Sequence, residues 1–328
     1  MLLRDLEPGP IDEVLLVRRA EPRTRKDGSP YLRVTVGDRS GAVTAIVRED
    51  LDELGAALAP GIAVRVVGEL VDDARYGRQL EVAQWVPVAE GDYDAAALQD
   101  GPPQPFARME ADLRELIATV QDPHLGRLLD AVFGADTATW EHFSVAPAAK
   151  RYHQAYTHGL LEHSLTVAQA VGAISATFPG IDRDVAVTGA LLHDIGKLDA
   201  YTREPAAPDM TDLGRLQGEI PMGYYRVRRL IEDLPGFPQA TADAILHIIL
   251  SHHGTLEHGS PVVPVTREAT LVHMIDNLGG RLGSFDRLEK ELAPGASWSG
   301  YDRAISGSAY FGARPARTDP AGAARDAA

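Results

Sequence analysis

An imidazole and a carboxylate stand side by side at the end of an apolar run in Ala190-Leu-Leu-His-Asp-Ile-Gly-Lys197, and no other stretch constrains this chain as strongly. Val185, Val187, Ala190, Leu191 and Leu192 give the run a helical, core-forming character, so His193 and Asp194 are delivered to a buried place. Burial of such groups costs several kcal/mol unless something pairs with them. A divalent metal is the most economical partner, and the chain holds matching pieces. His163 lies in Gly159-Leu-Leu-Glu-His-Ser-Leu-Thr-Val167, Ser251-His-His-Gly254 closes another apolar run, and Asp276 sits inside Leu271-Val-His-Met-Ile-Asp-Asn-Leu278. Each member of this ordered set falls on its own helical segment.

The 328 residues are enough for about two domains with real cores. No apolar run approaches the roughly 18 residues of a membrane span. The opening Met1-Leu-Leu-Arg-Asp-Leu-Glu-Pro is too short and too acidic for a signal peptide. With no cysteine, disulfides and zinc-thiolate sites are excluded, and a cytoplasmic protein is expected. The formal charge of −15 removes any global basic field, so binding of a nucleic acid must be local or metal-assisted.

Residues 11–88 read as β structure. Short alternating runs at Val14–Val17, Tyr31–Val36, Ala42–Val47, Ile62–Val67 and Gln79–Val82 are separated by turn signals, with a helical piece at Glu49–Leu58. Five strands with a helix between the third and fourth are the order of an OB-fold, a small barrel that commonly binds oligonucleotides. In the second run Leu32, Val34 and Val36 face one way, into the barrel. Tyr31, Arg33 and Thr35 face the other, where bases stack and phosphates are met. A half-buried strand aromatic and a solvating charge are the plainer reading of Tyr31 and Arg33. Arg18, Arg19, Arg23, Arg25 and Lys26 form the dense basic patch of this half.

Residues 89–107 are acidic, Ala-rich and then Pro-rich, the composition of an interdomain linker. From Met109 the periodicity is helical, and residues 108–292 read as an all-α domain. Residues 293–328 are rich in Gly, Ala, Ser and Pro and are expected to be a poorly ordered tail.

His163, His193, Asp194 and Asp276 together supply two imidazoles and two carboxylates from three helices. That donor set suits a six-coordinate ion such as Mn²⁺, Fe²⁺ or Co²⁺ better than a structural zinc, and such an ion lowers the pKa of bound water. The signature resembles the HD-domain metal-dependent phosphohydrolases over roughly Arg151–Leu278. The combination of an OB-fold with Tyr152-His-Gln-Ala-Tyr-Thr-His-Gly-Leu-Leu-Glu-His-Ser-Leu165, Leu191-Leu-His-Asp-Ile-Gly-Lys197, Ile249-Leu-Ser-His-His-Gly254, Gly259-Ser-Pro261 and His273-Met-Ile-Asp-Asn277 is similar to YhaM-type 3′→5′ exoribonucleases. The resemblance implies an HD domain that cuts phosphodiesters with divalent metal, manganese first, while the OB domain holds single-stranded RNA. It places His163, His193, Asp194 and Asp276 on the core ligand positions, with Asp194 bridging to a second ion held by His252 and His253. Lys197 is then placed to meet a substrate phosphate, and a helix-end lysine is its plainer reading.

The sequence departs from that family at Leu216-Gln-Gly-Glu-Ile220, where Glu219 stands in place of the usual histidine at the second metal. A carboxylate still suits Mn²⁺ or Mg²⁺, so one or two ions are expected. Gln154 replaces another family-like histidine. His153 and His158 read as phosphate ligands or as helix-capping groups, and His247 and His273 as supporting or core groups. The expected architecture is a multidomain protein, an N-terminal all-β OB-fold barrel followed by an all-α HD domain. The expected function is a metal-dependent phosphodiesterase on single-stranded nucleic acid, a 3′→5′ exoribonuclease with Asp194 and Lys197 at its catalytic centre. RNA is the expected partner, single-stranded DNA the second candidate; no membrane is involved, and a homo-oligomer stays open. The alternatives are an HD phosphohydrolase acting on small nucleotides and a nucleic-acid-binding protein with a non-catalytic HD site.

Overall fold

The structure is a computed structural model that describes residues 2–73, 77–89, 91–98, 101–149, 154–202, 208–290, 292 and 296–312. Two compact units emerge. The first gathers the chain up to Gly101 and resumes from Phe285; the second is Pro102–Ser284.

The first unit is built on a closed barrel of β1 (Gly9–Thr24), β2 (Pro30–Asp38), β3 (Gly41–Val47), β4 (Ala63–Asp73) and β5 (Gly77–Pro87), with α1 (Leu51–Ala57) between the third and fourth strands. The order around the barrel is β1-β2-β3-β5-β4, and a parallel β3–β5 pairing at Thr44↔Gln79 and Ala45↔Leu80 closes it. β1 is long because it serves two neighbours. Residues from Gly9 to Leu16 pair with β4, and residues from Leu16 to Thr24 pair with β2. A bulge at Val17–Arg19 bends it from one to the other. Alternation fills the barrel as the sequence leads one to expect: Leu32, Val34 and Val36 are buried with Leu15, Val17, Val43, Ala45, Val64, Val66 and Leu70. This is the OB-like barrel expected for the N-terminal half. The short α2 (Ala95–Leu98) follows it.

The helical unit runs through α3 (Phe106–Ala118), α4 (Pro123–Phe133), α5 (Ala138–Phe143), α6 (Gly159–Ser175), α7 (Arg183–Leu192), α8 (Lys197–Ala200), α9 (Asp212–Gln217), α10 (Glu219–Glu232), α11 (Gln239–Ser251) and into α12 (Arg267–Lys290). Its one extended pairing among the described residues is the single bridge Tyr201↔Met210. Local signals set the boundaries. Asp122 and Asp182 cap α4 and α7 by accepting backbone N–H groups of their first turns, and Pro123 occupies a first-turn position of α4. Every residue of α7 from Val185 to Leu192 is buried, so that helix is the centre of the core. The core also takes Leu160, Leu161 and Leu165 from α6, Ile245, Ile248 and Ile249 from α11, and Val272 from α12.

The last helix continues to Lys290, and the compact units divide within it, after Ser284. One expectation needs correction. The stretch after Pro294, expected to be poorly ordered, contains an antiparallel hairpin of β6 (Trp298–Asp302) and β7 (Gly307–Tyr310). Trp298 and Tyr310 face each other across it at 4.8 Å, Ala309 is buried, and Arg287 grips Asp302 at 2.6 Å. Two strands of four and five residues within a Gly- and Ser-rich composition carry almost no periodic signal; cross-strand pairing holds them instead. Residues 313–328 of that tail lie outside the described residues.

Candidate active site

Four helix ends and one helix interior converge on a single point. His163 comes from the first turns of α6, His193 and Asp194 from the exit of α7, and Glu219 from the start of α10. His252 and His253 follow the exit of α11, and Asp276 comes from within α12. Three overlapping sets result, His163–His193–Asp276, His193–Asp194–His252 and Asp194–Glu219–His253; within each, the ligand atoms lie within 4.8 Å of one another.

Gly196 explains how the pieces come so close. A Cβ there would stand 1.9 Å from the Glu219 carbonyl oxygen and 2.5 Å from the Gly223 nitrogen. Only glycine lets the start of α10 press against the turn that carries His193 and Asp194. Gly254 does the same on the other side, with φ +83° and the His273 ring where a side chain would project.

The rings are fixed by their far nitrogens. His193 Nδ1–H donates to the Ala190 carbonyl at 2.7 Å, His252 Nδ1–H to Ile249 at 2.7 Å, and His253 Nδ1–H to His258 at 2.9 Å. His163 Nδ1 meets Gln154 Oε1 at 3.1 Å. A carbonyl can only accept, so these bonds put the hydrogen on Nδ1 and turn Nε2 of each ring toward the centre. His163 Nε2 stands 3.2 Å from Asp194 Oδ2 and 3.1 Å from Asp276 Oδ1; His193 Nε2 stands 3.3 Å from Asp194 Oδ2.

Attraction between the imidazoles, Lys197 and the carboxylates outweighs the cost of burying them. Burial works against charge on His163, but hydrogen bonds and attraction from Asp194 and Asp276 outweigh it and raise the imidazole to about 9. Burial also resists ionisation of Asp194; Lys197, His193 and His163 overcome it and hold the carboxyl well below the usual carboxylate range. Asp276 is held down against burial in the same way by His163 and His193. Lys197 Nζ lies 2.6 Å from Asp194 Oδ2, and Asp194 and Glu219 keep its pKa above the ordinary lysine value despite burial. The lysine is thus engaged with a carboxylate of the cluster.

The donor set fits a divalent metal on two observations of the site itself. Asp194 Oδ1 and His252 Nε2 are buried with no hydrogen-bond partner, and they face each other at 3.5 Å. An unpaired buried carboxylate oxygen and an unpaired imidazole lone pair each carry the full desolvation cost of a lost bond. A cation satisfies both at once. Asp194 has Oδ2 toward His163 and His193 and Oδ1 toward His252, so its two oxygens address different parts of the cluster.

Residues expected at the nucleic acid are distributed differently. Tyr31 is half-buried and Arg33 exposed on the outer face of β2, in the barrel unit. Arg25 lies 6.0 Å over the Tyr31 ring, and Glu21 pairs with Arg19 and Arg23, so a carboxylate partly neutralises the basic patch. His153 lies outside the described residues. His158 sits at the N-cap of α6 with φ +70°, bonds the Ser144 carbonyl through Nδ1 and stacks on Phe106 at 4.8 Å. His247 Nε2 accepts from the Val265 N–H, away from the cluster, and His273 Nδ1–H donates to the His252 carbonyl. Sequence reasoning did not find the supporting role of Gln154, or His258 and Asn277, which line a cleft beside the cluster. Asn277 stands in the His273–Asn277 segment that carried the resemblance, which gave it no role of its own.

A helical core that presents His, His-Asp and Asp in this order defines an HD domain, and residues 160–280 match the HD domain family model. Beyond that domain, the chain is similar to the 3'-5' exoribonuclease YhaM of Bacillus subtilis (strain 168), 28% identical over 289 residues, 87% of this chain and 89% of that protein. The same-named protein of Geobacillus sp. (strain WCH70) is 28% identical over 287 residues, 87% of this chain and 86% of its own length. No helix among the described residues is long and apolar enough to cross a membrane.

Proposed function

We propose that this protein is a metal-dependent 3′→5′ exoribonuclease that shortens single-stranded RNA at its HD site. The observation that carries the reading is the buried, partnerless pair Asp194 Oδ1 and His252 Nε2 at the centre of a His/Asp cluster. The OB-like barrel and the similarity to YhaM exoribonucleases over both units support the substrate class.

His163, His193, Asp194 and Asp276 would hold one ion, and Asp194, Glu219, His252 and His253 a second; manganese suits both donor sets. When bound, such an ion supplies Lewis-acid polarisation of the phosphodiester and a water made acidic enough to attack near neutral pH. The chain's own groups do the positioning. Ala190, Ile249, His258 and Gln154 hold the four rings through their Nδ1 atoms. Lys197 balances the charge of Asp194 and fixes its orientation. Tyr31 and Arg33 offer a stacking ring and a cation to the strand, and the cytoplasm is the setting consistent with a cysteine-free chain.

A time course on 5′-labelled single-stranded RNA with Mn²⁺, beside Asp194→Ala, tests this. A ladder of shortening products that needs metal and disappears in the variant is expected. Intact RNA in the presence of bound metal would exclude the reading and turn attention to small nucleotides.

A further inference from the structure

The C-terminal hairpin has two unlike faces. Its register pairs Trp298 with Tyr310, Tyr301 with Ser308 and Asp302 with Gly307, with a bulge between Trp298 and Tyr301. Facing residues of a ladder share a side, as do alternate residues of a strand. Trp298, Tyr301, Ser308 and Tyr310 therefore lie on one face, and Asp302 and Ala309 on the other. The second face is spent inward: Ala309 is buried, and Asp302 meets Arg287 of α12 at 2.6 Å. The first is open to solvent, with Trp298 60%, Tyr301 73% and Tyr310 56% exposed.

Three large rings left in water oppose the hydrophobic effect, and the stability of the hairpin accounts for only two of them. Trp298 and Tyr310 pair across the strands, with ring centroids 4.8 Å apart. Tyr301 has no such duty, for it faces Ser308 and has no ring or hydrogen-bond partner among the described residues. The bulge that turns it onto this face is fixed by the Ser299 hydroxyl, which accepts the Ala309 N–H at 2.8 Å. Ser299, Gly300 and Ser308 are the neighbours, too small to cover the rings. Charge then selects the occupant. From Ser297 to Gly312 the chain carries two charged residues, Asp302 and Arg303. Arg287 neutralises Asp302, whereas Arg303 is exposed on the connecting turn, so a chain of net charge −15 turns locally positive here. A cation beside a row of rings complements a phosphate beside a row of bases.

We infer that the outer face of this hairpin is a stacking platform for single-stranded RNA, with bases laid on Trp298, Tyr301 and Tyr310 and a phosphate met by Arg303. The identity of the strand as RNA rests on the proposed function. Every base has a π-face, so such a platform holds a strand without reading its sequence, which suits an enzyme that meets all sequences. The hairpin belongs to the same compact unit as the barrel and gives that unit a second contact, built from residues other than Tyr31 and Arg33.

The test is the binding of fluorescein-labelled oligo(A) and oligo(C) RNA to the full-length protein, followed by anisotropy with divalent metal chelated so that no strand is cut. Tyr301→Ala is expected to weaken both strands by roughly 5- to 100-fold, the loss of one stacked base, and Tyr301→Phe to bind as the wild type does. Tryptophan fluorescence should fall when RNA binds, and Trp298→Phe, which keeps a ring in that place, should bind with most of this quench gone. Arg303→Ala should lower the slope of log affinity against log salt by about 0.7, one phosphate contact on a single strand. A Tyr301→Ala protein that binds both strands like the wild type overturns the inference. So does a wild-type dimer that dissociates in Tyr301→Ala, by sedimentation equilibrium, with RNA affinity unchanged, since the face would then belong to a second copy. Cleavage with Mn²⁺ is scored apart from binding. Cleavage without any loss of binding in Tyr301→Ala keeps the exonuclease reading and removes the platform; loss of binding in a protein that cuts no RNA does the reverse.

Discussion

Gln154 isolates positioning from coordination, because it touches the cluster only through His163. Its Oε1 lies 3.1 Å from His163 Nδ1 and the residue is buried with φ +64°. Gln154→Ala should weaken Mn²⁺ binding by about 10–100-fold, the usual cost of losing such a support, measured by calorimetric titration; an unchanged affinity would show that the contact orients nothing. Asp194→Ala should cost more than that range and abolish turnover, since it removes both faces of the cluster. The proton on His163 gives a pH dependence with a definite sign. Its pKa in the folded metal-free protein is about 9 against 6.5 for a free imidazole. The bound proton therefore stabilises the metal-free fold fully below 6.5, and that contribution is lost as pH rises through 9. Metal must expel this proton, so Mn²⁺ uptake near pH 7.5 should release about one proton and tighten as pH rises toward 9. Titrations in buffers of different ionisation enthalpy measure the release, and none would mean His163 is not displaced onto the ion. Histidines and aspartates at the ends of apolar helices were legible in the sequence because burial of such groups demands a partner. The bond from Gln154 to His163 was not, since an ordinary polar side chain acquires its role only from neighbours that folding supplies.

Packing between elements rests on glycines more than on the side chains around them. Gly196→Ala would set a Cβ 1.9 Å from the Glu219 carbonyl and force α10 away from the His193–Asp194 turn. Overpacking of this kind costs about 1–3 kcal/mol, measurable by urea denaturation, and should withdraw Glu219 from Asp194 and His253. A variant as stable as the wild type would show that the helix can shift freely. The C-terminal hairpin depends on a different contact. Arg287 holds the Asp302 carboxyl below its ordinary pKa through their hydrogen bond. A depressed carboxyl contributes its stabilisation above its unfolded pKa and loses it as pH falls through the folded value. A fluorotryptophan resonance at Trp298 should therefore shift on acidification in the wild type and lie at the shifted position at neutral pH in Asp302→Asn. The barrel strands were readable from alternation where they face a core, as in Leu32–Val36. The outer half of β1, Arg18–Thr24, was not, because it is held by pairing with β2 over a polar surface and has no apolar period.

At the scale of the molecule, a net charge of −15 sets the terms of any encounter with RNA. Cations near Tyr31 are few, and Glu21 takes up two of them, Arg19 and Arg23. The dependence of log affinity on log salt should be no steeper than about −3, the slope that four phosphate contacts give on a single strand; a steeper slope would reveal basic surface elsewhere. The division into a barrel and a helical HD unit was legible in the sequence from the change of period between residues 88 and 109, whereas the return of the chain to the first unit after Ser284 was not. Membership of a helix end in a unit remote in sequence leaves no mark in a linear pattern. The histidines have one further consequence. A ring that donates one nitrogen to a fixed carbonyl and lends the other to a cation has no site left for a mobile proton. With an ion bound at Nε2, His193, His252 and His253 would be withdrawn from acid–base duty. Proton movement in a metal-loaded site would then fall to other groups, of which Lys197, 2.6 Å from Asp194 Oδ2, carries a proton at the cluster.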